Sequence, residues 1–65
     1  MDKYKVMSLI REDIKKIKTT YEHDCKRHEN DNRYAAPSYG EFAAAVGGLK
    51  KALSYVGMID NESNR

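Results

Sequence analysis

Two apolar stripes at helical spacing, separated by a single Pro-Ser break, leave this chain little to fold into but a pair of helices. Met7, Ile10, Ile14, Ile17, Tyr21, Cys25 and His28 recur at intervals of three and four residues. Tyr39, Phe42, Val46, Leu49, Leu53 and Val56 do the same after Pro37-Ser38. Such spacing places each set on one side of an α-helix. Two helices with matching stripes and a short connection predict an all-α antiparallel helical hairpin.

The chain is 65 residues long, so it makes one domain at most. A chain of this size buries only about 60% of its unfolded surface. A single seam between two helices leaves a net stability of about 3–5 kcal/mol or less. Self-association is therefore expected, with a homodimeric four-helix bundle as the simplest closed solution. A single domain is expected over 1–60, and a disordered tail over 61–65.

The formal net charge is +2 and charged residues of both signs make up 34% of the chain. That balance describes solvated helix faces and does not by itself argue for nucleic acid. The lone Cys25 cannot form an internal disulfide, which points to a reducing, cytoplasmic setting. No apolar run approaches the length of a membrane span, and charges interrupt the N-terminal region where a signal peptide would be apolar.

Local signals set the boundaries. Helix 1 is expected from about 3 to 30, with Asp2 as its N-cap. Glu12 and Lys16, and Glu22 and Lys26, are spaced for i,i+4 ion pairs. The polar segment from His23 to Arg33 predicts fraying of the last turns or support from another subunit. Asn30-Asp31-Asn32 is turn-prone, and Ala36 before Pro37 is biased towards extended backbone. Ser38-Tyr39-Gly40-Glu41 reads as a capping box. Helix 2 is expected from about 39 to 56, with Gly57 in a left-handed C′ position and Met58 folding back towards Leu53.

Gly47-Gly48 is where a second architecture enters. Two glycines inside a helix cost roughly 2 kcal/mol relative to alanine, and they could instead turn the chain. Ala43, then Gly47 four positions later, then Leu53 six further on, resemble the helix-turn-helix family over about sixteen residues. The resemblance implies a DNA-binding regulator using residues 41–56, with Lys50, Lys51, Ser54 and Tyr55 facing a major groove.

Other residues suggest contact surfaces. Ala45, Gly48 and Ala52, with Ile59 next in line, form a small-residue strip for a dimer or a close partner. Arg11, Lys15 and Lys18 form a basic row on helix 1. Leu9 and Tyr4 point away from the stripe, Tyr34 lies in the loop and Tyr55 on the back of helix 2. Tyrosine is favoured at binding hot spots. Leu9, Tyr34, Tyr55, Arg11, Lys15 and Lys18 are thus the candidate partner-binding residues.

Chemistry finds little purchase. His23, Asp24, Cys25 and His28 are close in sequence, but a structural zinc site wants two separated ligand pairs. A reactive thiol needs a lowered pKa in a pocket, which a two-helix hairpin does not obviously offer. No cofactor, metal or catalytic residue is assigned. The expected mode of action is stoichiometric docking on a host or other cellular protein. That suits a small regulator or inhibitor of the kind a phage or mobile element encodes. DNA binding is the alternative.

Overall fold

The computed structural model describes residues 2–59. The tail expected over 61–65, and the ends of the domain expected over 1–60, lie outside them. The described residues form two helices and no strand: α1 spans Lys3–Asn30 and α2 spans Tyr39–Gly57. They pack against each other as a helical hairpin.

Each helix begins where its cap dictates. Asp2 has extended backbone, and its carboxylate accepts the Tyr4 amide at 3.0 Å. Ser38 is also extended, and its Oγ accepts the Glu41 amide at 3.2 Å. Only this half of the expected capping box forms among the described hydrogen bonds. Replacing a serine cap costs about 1 kcal/mol. Ser38→Ala is accordingly expected to lower the urea midpoint modestly, with helical content at low denaturant retained. An unchanged midpoint would refute the cap's contribution.

α1 does not fray before the loop. It continues to Asn30, and the Asp31 amide closes the last turn by donating to the Arg27 carbonyl at 2.9 Å. The Arg33 guanidinium then pairs with the Asp31 carboxylate at 2.6 Å, and the Tyr34 amide donates to the Asp31 carbonyl at 3.1 Å. The polar segment is held by local hydrogen bonds rather than by burial.

Four expectations require correction. Residues 41–56 are one uninterrupted helix, so the turn of a helix-turn-helix is absent. No described glycine has positive φ, which such a turn at Gly47 would demand. Gly57 is helical rather than a left-handed cap, and Met58 stays in the right-handed region, exposed to solvent. The Lys3 ammonium takes over the capping instead, donating to the carbonyls of Gly57 at 3.2 Å and Ile59 at 2.8 Å. A cation there also opposes the negative end of the α2 dipole. Finally, neither i,i+4 ion pair, Glu12–Lys16 or Glu22–Lys26, closes within 4 Å among the described residues.

The core is a single seam. Ile14 at 8% exposure and Val46 at 7% are its buried centre, and no described side chain is completely buried. Met7, Ile10, Ile17, Phe42, Leu49, Leu53 and Val56 are half-buried along the same line, together with Val6, which the stripe had not included. Towards the loop, Tyr21 stacks on Phe42 with ring centroids 4.1 Å apart. Tyr39 meets Tyr21 edge-on at 6.3 Å but is 67% exposed, so it borders the seam rather than filling it. The hairpin is one helix thick, 57 × 17 × 10 Å. Both of its broad faces meet solvent, whereas a stable domain normally closes its core between two layers.

Candidate functional site

Two shallow grooves flank the seam and define the broad faces. One, of about 510 Å³, is lined by Lys16, Ile17, Thr20 and Tyr21 of α1 and by Pro37, Glu41 and Phe42 across from them. The other, of about 270 Å³, is lined by Lys18 of α1 and by Tyr39, Ala43, Gly47 and Lys50 of α2. The helical period assigns the remaining residues to these sides.

On α1, Leu9, Asp13, Lys16 and Thr20 follow one another at intervals of four, three and four, so Leu9 belongs to the first face. On α2, Glu41, Ala45, Gly48 and Ala52 follow the same intervals and join it. Leu9 and the small-residue strip, separate features in the sequence, therefore share one face of the hairpin. Leu9 is 56% exposed, Ala45 and Gly48 are exposed, and Ala52 is half-buried. Nothing lies within 4 Å of where a Cβ on Gly48 would stand, so the strip is open at Gly48. Close packing within the hairpin is therefore not what the glycine supplies.

Arg11, Lys15 and Lys18 lie towards the second face, where Lys50 meets Lys18 across the groove. The register follows from two contacts: Lys3 reaches the end of α2, and Tyr21 stacks on Phe42 near its start. Arg11 is then level with Lys50. Arg11, Lys15, Lys18, Lys50 and Lys51 are exposed, and none makes an ion pair among the described residues. Lys50 was assigned by sequence only to a recognition helix. The antiparallel register, not the local motif, brings it to the basic row.

Tyr55 and Ser54 are exposed on α2 away from the seam, and Lys51 lies on its outer side. Without a turn at Gly47-Gly48, Lys50, Lys51, Ser54 and Tyr55 do not sit on a separate recognition helix. Tyr34 is at the loop end, far along the molecule from Leu9. Its carbonyl lies 2.6 Å from His28 Nδ1, and the Arg27 guanidinium covers its ring at 4.7 Å. The six candidate partner-binding residues thus do not form one patch: Arg11, Lys15 and Lys18 group together, while Leu9, Tyr34 and Tyr55 are apart.

The loop end carries most of the specific electrostatics. Asp24 lies within 3.6 Å of His23 and 3.5 Å of Arg27. The Arg33 side chain, with help from its amide, holds the Asp31 carboxyl below its ordinary pKa. A carboxyl lowered on folding stabilises the fold above its unfolded pKa and loses that contribution as pH falls through the lowered value. Partial burial, and then the neighbouring Cys25 thiol, push the Tyr21 phenol upward. His23, Asp24, Cys25 and His28 do not converge into a metal-holding group among the described residues. No described helix is long and apolar enough to cross a membrane. No protein-family model, no curated protein and no solved structure matches the chain.

Proposed function

We propose that this chain is a small non-enzymatic binding protein of the cytoplasm that acts by stoichiometric docking on another protein, as a regulator or inhibitor. The observation that carries the reading is the open face formed by Leu9, Ala45, Gly48 and Ala52 on a hairpin with no second layer. On that face α2 presents Ala45, Gly48 and Ala52 with no charge between them, and Glu41 of α2 and Asp13 and Lys16 of α1 border the strip. An exposed apolar strip rimmed by polar residues marks a surface on which protein docks. A second copy, giving a four-helix bundle, and a protein partner are both covers of the right kind. The free Cys25 suits a reducing compartment. The continuous α2 removes the turn on which the helix-turn-helix resemblance rested.

The test is affinity capture from the native host's lysate after nuclease treatment, with two variants beside the wild type. A partner recovered at fixed ratio, lost with Ala45→Glu and kept with Lys18→Gln/Lys50→Gln, supports docking through the apolar face. Recovery of no nuclease-resistant protein by the wild type counts against the reading. Light scattering of the purified wild type and Ala45→Glu separates self-pairing from hetero-docking on the same face.

A further inference from the structure

We infer that the opposite, basic face is a binding site for single-stranded nucleic acid, with Arg11, Lys15, Lys18 and Lys50 meeting phosphates and the Tyr39 ring stacking on a base. This goes beyond protein docking and rests on different residues. Three observations converge. First, the cations come from both helices and meet across one groove, with Lys18 and Lys50 lining it and Arg11 level with Lys50. None of them is neutralised by an ion pair among the described residues. Glu22 borders the Lys18 end and Glu12 lies on the outer edge of α1. Asp13 and Glu41 belong to the other face.

Second, the same groove contains the largely exposed ring of Tyr39. Cations that track a backbone beside an aromatic ring are the elements of a sequence-tolerant single-strand site. A duplex keeps its bases stacked on one another and would leave the ring idle. Third, α2 presents Ala43 and Gly47 along this groove, and nothing stands within 4 Å of a Cβ placed on Gly47. A strand can therefore approach the helix between the lysines. An acidic protein would satisfy the charges but would make no particular use of an open channel beside a flat ring.

The experiment is a fluorescence-anisotropy titration of the full chain with a labelled single strand of about twenty nucleotides, repeated across salt concentrations. Four phosphate contacts predict that log K falls with log salt with a slope of about −3. Lys18→Gln/Lys50→Gln should reduce that slope by about 1.4. Arg11→Gln/Lys15→Gln should do the same, and it replaces the first pair if circular dichroism shows lost helix. Tyr39→Ala should weaken binding roughly tenfold at unchanged slope, while Tyr39→Phe retains affinity. Absence of saturable binding at low salt overturns the inference, as does a slope that neither lysine nor arginine variants alter. Tighter binding to a duplex overturns the stacking role of Tyr39. Stronger competition by polyglutamate than by unlabelled strand overturns the nucleic-acid assignment and gives this face to an acidic protein.

Discussion

Ile14→Ala is expected to be the most damaging conservative change in the chain, lowering the melting temperature by about 10–20 °C and leaving a measurable unfolded fraction at room temperature. Ile14 is one of the two residues at the buried centre of the seam, facing α2 where Val46 is also buried. Removing a buried aliphatic side chain costs about 2–5 kcal/mol, from lost transfer energy and from the void left behind. A one-layer hairpin can close part of that void by letting the helices approach, which favours the lower half of the range. Even about 2–3 kcal/mol is most of the net stability available to a chain of this size, about 3–5 kcal/mol or less. For a small domain each kcal/mol moves the midpoint by about 4–8 °C. Leu9→Ala is the matched comparison. Leu9 is more than half exposed, so in dilute solution its truncation should lower stability by only about 0.5 kcal/mol or less. Thermal and urea melts followed by circular dichroism read both variants. A smaller loss for Ile14→Ala than for Leu9→Ala would mean that the seam is not where folding energy resides.

The hairpin was legible in the sequence because its signals were local and mutually consistent. Spacings of three and four located both faces, Asp2 and Ser38 located both starts, and Pro37 located the break. What the sequence hid depended on residues far apart in the chain. Lys3 caps the end of α2, more than fifty positions away, and no local motif announces such a cap. The misread Gly57 has a local cause: the Met58 and Ile59 amides close the last turn onto the carbonyls of Ser54, Tyr55 and Val56, so no left-handed residue is needed there. Tyr39 continued the stripe by spacing, yet it begins its helix and so hangs over the edge of the seam. The faces were hidden for the same reason. Leu9 and Ala52 come level, and Lys18 and Lys50 line one groove, only once the antiparallel register is known. Folding the stripes symmetrically about Pro37 would have set Lys50 opposite Asp24; the stacking of Tyr21 on Phe42 instead centres the hairpin near the end of α1 and brings Lys50 to the basic row.

Alanine at Gly47 is expected to raise stability by about 1 kcal/mol, and alanine at both Gly47 and Gly48 by as much as about 2 kcal/mol in a monomer. Both glycines are helical with ordinary negative φ, so alanine fits their backbone without strain. Neither site has a neighbouring atom within 4 Å of the added Cβ. The gain comes from restricting the unfolded chain and from alanine's higher helix propensity, and it corresponds to about 8–15 °C for the double variant. The two positions differ in what surrounds them outside the hairpin. Gly47 lines the basic groove, whereas Gly48 lies between Ala45 and Ala52 on the apolar face. If a second copy packs closely over that face, the added methyl at Gly48 meets the partner backbone, and Gly48→Ala loses its benefit as protein concentration rises. Gly47→Ala keeps its benefit at every concentration. Melting both single variants over a range of concentrations therefore tests helix continuity and the docking face together. Destabilisation by Gly47→Ala would contradict the continuous helix. Equal, concentration-independent gains at both positions would show that the apolar face is not closed by tight self-pairing.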